Sequence, residues 1–238
     1  MKKFLLILFI LFINSAFAQQ NSINSLVSVL KIAKTLPAVR QEDTNKVIEL
    51  NKLGWKLMYS NPDTSIILSN QALVIASGTK QSPQWKKGMA YSYGNLGAYY
   101  YFKGDYFKAL ENYFKALKID EALNHKIGIV ARLCNIGNVY SDQDEYSKAL
   151  DHYFKALKTA EELGNKKFVA MILGNIGNIY KDQANYLNAL DYYFRALKMK
   201  EELGDKNEIA ITLINIGNIY IFQNENSKAL DYYLRALE

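Results

Sequence analysis

Apolar residues recur at helical spacing along most of this chain. Over residues 126–142, Leu133, Ile136, Gly137 and Tyr140 share one face. Over 146–162, Ala149, Leu150, Tyr153, Phe154, Ala156 and Leu157 make a wide apolar stripe. Periodicity of this kind predicts two amphipathic helices, with a tight turn at Asp144-Glu145 between them. The pattern then repeats. Asn135-Ile136-Gly137-Asn138-Val139-Tyr140 returns as Asn175-Ile176-Gly177-Asn178-Ile179-Tyr180 and as Asn215-Ile216-Gly217-Asn218-Ile219-Tyr220, each copy forty residues from the next. A looser copy is Asn95-Leu96-Gly97-Ala98-Tyr99-Tyr100. Lys148-Ala149-Leu150-Asp151 keeps the same period, with counterparts at 108–111, 188–191 and 228–231. Self-similarity at this interval predicts a stacked array of helix pairs rather than one globular core.

The units expected are 84–123, 126–163, 166–203 and a shortened 206–238. Gly164 and Gly204 close second helices and Asn124 stands in the matching place, all residues that tolerate a left-handed cap. A degenerate unit precedes them at 41–80, where Leu53-Gly54-Trp55 echoes the Ile-Gly step and Ala72-Leu73 echoes Ala116-Leu117. Asn61-Pro62 marks a helix start there, with Asn61 as cap. Residues 19–40 are a leading segment, and 22–36 read as a short amphipathic helix ended by Pro37. Residues 1–18 read as a secretory signal: Lys2 and Lys3, the apolar run Phe4–Ile13, then Ala16-Phe17-Ala18 for cleavage. The run is too short to cross a bilayer, which needs about 20 residues. The repeats are therefore expected to be exported, on the periplasmic or extracellular side of a bacterial membrane.

Gly137 and its equivalents sit inside a helix, where glycine costs about 1 kcal/mol. That cost in every copy implies close approach by a neighbour. Glu111/Lys115, Asp151/Lys155, Asp191/Arg195 and Asp231/Arg235 are acid-before-base pairs at helical spacing, expected on a solvated outer face.

Charge adds little. The chain has 29 basic and 23 acidic residues, and removal of Lys2 and Lys3 leaves 27 against 23. The excess is spread evenly, so nucleic acid is not an expected partner of this segment. The single cysteine, Cys134, excludes an internal disulfide and reads as a packed small hydrophobe.

The residues Ile136, Gly137, Tyr140, Ala149, Tyr153 and Ala156, with their equivalents, resemble the tetratricopeptide repeat. The forty-residue period and the Asn-Ile-Gly-Asn phrase resemble its kinesin-light-chain and Pins-like subclass. Asn226 departs from the pattern of Tyr106, Tyr146 and Tyr186, and the family's proline at the end of the second helix is absent. The resemblance covers about residues 41–238. It implies an all-α fold, a right-handed superhelical solenoid of antiparallel helix pairs, that serves as a general binding scaffold. It also resembles the extracytoplasmic N-terminal part of bacterial sensor proteins, whose histidine kinase, transcription-regulator or cyclase output lies elsewhere. Glu238 falls inside a second helix, so the chain is expected to be truncated; a membrane anchor would then lie in a missing C-terminal part or in an uncleaved signal.

On the first helix Ala131, Asn135, Asn138 and Asp142 follow at i, i+4, i+7 and i+11, on a stripe away from the core. Stacking predicts a ladder of Asn95, Asn135, Asn175 and Asn215, flanked by Asn138, Asn178 and Asn218, with Asp142 and Asp182 making its middle acidic. In the family this face is the concave groove, where asparagines commonly hold a peptide backbone. An amide both donates and accepts. Two readings stand: the asparagines bind a peptide or partner helix, or they bond to one another and to backbone across repeats. A bound peptide is expected to be neutral or basic. Tyr91, Ala131, Met171 and Ile211 precede the asparagines, and with no Lys or Arg there a C-terminal carboxylate is not the expected target.

No phosphate loop, metal motif or nucleophile elbow appears. His125 and His152 have no repeated catalytic partner. Neither an enzyme activity nor a cofactor or metal is expected.

Overall fold

The structure is a computed structural model that describes residues 43–77 and 83–237. The signal segment at 1–18 and the leading helix expected at 22–36 lie outside the described residues. Those described form ten α-helices and no strand. They are α1 (Asp43–Leu57), α2 (Pro62–Ser77), α3 (Pro83–Phe102), α4 (Tyr106–Ala122), α5 (Lys126–Asp142), α6 (Tyr146–Glu162), α7 (Lys166–Asp182), α8 (Tyr186–Leu203), α9 (Lys206–Phe222) and α10 (Asn226–Arg235). Among the described residues no helix is long and apolar enough to cross a membrane.

The chain divides into two compact units between Gly88 and Met89, inside α3. In the first, α1 and α2 form a hairpin. Asn61 Oδ1 accepts the Thr64 backbone N–H at 3.1 Å, and Pro62 is the first helical residue, as the capping rules predict. The Ser65 hydroxyl donates to the Gly54 carbonyl at 2.8 Å, a buried tie between the two helices. Val47, Leu50, Leu68, Ala72 and Ala76 fill the hairpin core.

In the second unit Tyr113 of α4 lies on Gly97 of α3, from α4 onward each helix packs on its neighbours in sequence, and α5 also touches α7. Sequence-adjacent packing of this kind builds a solenoid. The turn inside each hairpin places one residue in the left-handed region: Gly104 (φ 74°), Asp144 (57°), Ala184 (56°) and Asn224 (61°). The turn between hairpins does the same with Asn124 (48°), Gly164 (65°) and Gly204 (68°). Asp105, Asn165, Asn185 and Asp205 cap the following helices by accepting from the N–H three residues on.

Ala149, Tyr153, Ala156 and Leu157 are buried, as the stripe predicts, and Cys134 is buried as well. Phe154 is a correction. Its ring is 40% exposed and leans on Tyr192 of the next hairpin, centroids 6.4 Å apart. Phe114 and Phe194 are placed alike, against His152 and Tyr232. The wide stripe therefore includes, in three of the four copies, one ring that covers the seam between second helices instead of entering the core. Three of the four outer acid–base pairs close, at 2.6, 2.7 and 3.6 Å.

Candidate functional site

The first helices carry the site. Its local logic starts at the glycine of each Asn-Ile-Gly-Asn phrase. A Cβ built on Gly137 would stand 2.6 Å from Cε1 of Tyr153, and Gly177 and Gly217 meet Tyr193 and Tyr233 in the same way. The glycine lets the tyrosine ring of the second helix lie flat on the backbone of the first. That ring delivers its hydroxyl to the far edge of the helix. Tyr153 donates to Asn138 Oδ1 at 2.6 Å, Tyr193 to Asn178 Oδ1 at 2.6 Å, and Tyr233 to Asn218 Oδ1 at 2.8 Å. Burial raises the Tyr153 and Tyr193 hydroxyls far above their ordinary pKa, so both remain donors.

Asn138, Asn178 and Asn218 are thus clasped through their oxygens, by a tyrosine fifteen residues on in the same hairpin. The partner is neither another asparagine nor backbone. With the oxygen held, each amide turns its NH2 group away from the tyrosine, a fixed double donor. In the earliest copy Ala98 takes this place, and Tyr113 lies on Gly97 beside Arg132 instead.

The other asparagine row differs. Asn135, Asn175 and Asn215 are half-exposed, and their side-chain amides bond to no side chain or backbone group among the described residues. Asn95 is half-exposed at the matching position. One turn nearer the helix start, Tyr91, Met171 and Ile211 are 45%, 38% and 52% exposed, and the matching residue between Tyr91 and Met171 is the small, half-buried Ala131. At the other end Asp142 and Asp182 are exposed but not free. Asp142 Oδ2 accepts the Tyr101 hydroxyl at 2.6 Å, and Asp182 Oδ1 meets Lys181 Nζ at 3.1 Å. Phe222 stacks on Tyr186 at 5.7 Å. The face therefore carries an apolar row, two amide rows and a partly satisfied acidic row.

Beneath it, each seam between hairpins is chemically distinct. Buried Asp120 meets Arg132 Nε at 3.4 Å and His125 Nδ1 at 2.8 Å. A Cβ on Gly128 would touch the Asp120 carboxylate, and one on Gly94 the Arg132 guanidinium. His125 thus has a carboxylate partner that sequence spacing did not suggest. At the next seam the matching residues are Ala160, Phe168 and Ile172. At the third, buried Lys200 reaches Thr212 at 2.9 Å and Glu208 at 2.8 Å. Aligning the copies by period exposes the triad as Asp-Gly-Arg, Ala-Phe-Ile and Lys-Glu-Thr, and that alignment is the signal that could have found it. His152 stacks on Tyr140 at 5.5 Å, and its Nδ1 is buried with no hydrogen-bond partner.

Similar folds are known. RapI in its apo form matches with a TM-score of 0.73 at 18% identity, over 92% of this chain and 60% of that one. BtubC from P. vanneervenii matches at 0.65 and 22% identity, over 82% and 89%. A Rap conjugation gene regulator in complex with the Phr* peptide matches at 0.65 and 16%, over 85% and 56%. The chain thus spans little more than half the length of these Rap proteins. No curated protein matches it in sequence. A family profile described as tetratricopeptide repeat matches residues 88–162 and 168–238, the hairpins that carry the glycine–tyrosine contact. The chain belongs to the tetratricopeptide repeat family.

Proposed function

We propose that this protein is a non-catalytic interaction scaffold that holds a peptide across its first helices. The observation that carries the reading is the contrast between the two asparagine rows. Asn138, Asn178 and Asn218 are oriented by tyrosine, whereas the side-chain amides of Asn135, Asn175 and Asn215 bond to nothing among the described residues. A row of amides held at one repeat per step, half-exposed and unengaged, suits a peptide backbone, which offers both donors and acceptors. The peptide-bound Rap regulator, a similar fold, supports the same reading.

The test is a binding screen of an unbiased peptide array against the full chain and against Asn135→Ala plus Asn175→Ala. Loss of binding in the double variant, with its helical circular dichroism intact, is the expected result. Undiminished binding removes these amides from the site.

We further propose that the array works outside the cytoplasm after removal of residues 1–18. N-terminal sequencing of the exported protein should begin at Gln19. A second reading makes the array the ligand-sensing half of a signal-transduction protein with a histidine kinase, transcription-regulator or cyclase output. The pairing of a similar fold with a peptide in a gene regulator favours it. Reading the gene beyond codon 238 decides between the two.

A further inference from the structure

The amide ladder alone would accept any peptide, but the rows on either side of it are not neutral in what they select. On the side of the helix starts lie Tyr91, Met171 and Ile211, all partly exposed, with the small side chain of Ala131 among them. On the other side lie Asp142 and Asp182. Each has one carboxylate oxygen engaged, which leaves Asp142 Oδ1 and Asp182 Oδ2 without a partner among the described residues. The apolar row stands four residues before Asn135 and the acidic row four residues after Asn138, about 6 Å along the helix in each case. That is the reach of one side chain.

All these rows advance by one repeat per step. Packed neighbouring helices stand about 8–10 Å apart, and α5 and α7 are in direct contact. The backbone conformation that matches this step is polyproline II. It rises about 3.1 Å per residue with three residues per turn, so every third side chain points the same way about 9.3 Å further on. A β-strand covers a similar distance in three residues, but its third side chain points to the opposite face. An α-helical partner bonds its own backbone and leaves Asn135, Asn175 and Asn215 nothing to hold. A polyproline II segment has no internal hydrogen bonds, so its amides and carbonyls are free for them.

We propose that this face accepts a polyproline-II-like peptide segment with an apolar side chain at every third residue and a basic side chain in the same tripeptide unit. The apolar side chains settle on the Tyr91–Ala131–Met171–Ile211 row, the largest over the small Ala131. The basic side chains meet Asp142 and Asp182, and the third position of each unit faces solvent. The proposal rests on the peptide-scaffold reading and narrows it to one class of peptide by spacing and charge.

The experiment compares three synthetic peptides of about twelve residues, four polyproline II turns, titrated onto the full chain by fluorescence anisotropy. The first repeats apolar–proline–lysine. The second has the same composition in an order without period three. The third replaces each lysine by glutamate. The first should bind about tenfold or more tightly than either control. Met171→Lys should abolish its advantage over the second peptide, and Asp182→Lys its advantage over the third. Both positions are exposed, so the fold should tolerate these changes. If the three peptides bind alike, or the variants leave the margins intact, the spacing and charge rule is overturned while the scaffold reading stands. If an unbiased library yields no binder at all, the scaffold reading fails and takes this inference with it.

Discussion

The hydroxyl of Tyr153 reaches Asn138 Oδ1 at 2.6 Å only because its ring lies against Gly137, where a Cβ would stand 2.6 Å from Cε1. The glycine, the ring and the amide form one unit that joins the two helices of a hairpin and aims a side chain at the open face. Two adjacent residues of the first helix and one of the second are therefore coupled in the last three copies.

Gly137→Ala sets two effects against each other. Alanine gains about 1 kcal/mol of helix propensity, but its methyl group must displace a buried tyrosine, and overpacking of this kind costs about 1–3 kcal/mol. A net loss of about 1 kcal/mol is expected in urea unfolding. Gly174→Ala is the control. Its nearest neighbour is Lys200 Nζ at 3.9 Å, so only the propensity gain applies, and this variant should be stabilised by up to about 1 kcal/mol.

Ala184 occupies a turn position with φ at 56°, where the matching residues are Gly104, Asp144 and Asn224. A β-carbon in the left-handed region costs about 1–2 kcal/mol. Glycine removes that strain and returns part of it through the looser unfolded chain. Ala184→Gly should raise stability by about 0.5–1 kcal/mol, read as a higher urea midpoint at unchanged slope.

The helix pairs were legible because periodicity and caps are local properties. α5 and α6 begin and end where apolar spacing places them, and Asn124, Gly164 and Gly204 take the left-handed backbone expected of them. The close approach at Gly137 was legible too, from the propensity cost of a repeated helical glycine. What approaches it was not, because Tyr153 reads equally well as ordinary core. The asparagine ladder looked uniform, yet one row is clasped by tyrosines and the other is unengaged. Nothing in a one-dimensional pattern separates two amides three residues apart. The seam triad was missed for the opposite reason. A repeat search rewards what is shared, and Asp120, Ala160 and Lys200 differ in every copy.

His152 gives the array a pH response. Burial lowers its pKa below the ordinary histidine value; Asp151 opposes this and Lys155 adds to it. The ring lies between Tyr140 and Phe114, and its buried Nδ1 has no acceptor for a second proton. A histidine with a depressed folded pKa binds its proton more readily when unfolded. Stability is then level above the unfolded pKa of about 6.5 and falls as pH drops below it. The ring is only half-buried, so solvent moderates the slope. His152→Tyr, which copies Tyr192 and Tyr232, should flatten the difference in urea midpoint between pH 7 and pH 5 relative to the parent chain.

Asp120 and Arg132 offer the sharpest test of what the seams contribute. Asp120 is 1% exposed and receives Arg132 Nε at 3.4 Å, while Gly128 and Gly94 leave room for the two charged groups. Removing Asp120 leaves the Arg132 guanidinium without its carboxylate, and removing Arg132 leaves Asp120 with His125 alone; breaking a buried pair costs about 3–5 kcal/mol. Arg132→Ile should therefore unfold the array at much lower urea, and Asp120→Ala should do nearly the same. The second seam manages with Ala160 and Ile172 in these places. The double variant Asp120→Ala plus Arg132→Ile should accordingly recover to within about 1 kcal/mol of the parent chain, since apolar replacement of a whole buried pair is often neutral. The remainder reflects the space left over Gly128, a position where the second seam has Phe168. Losses that simply add in the double variant would show that the two residues act independently, and that the ion pair is not what joins the first seam.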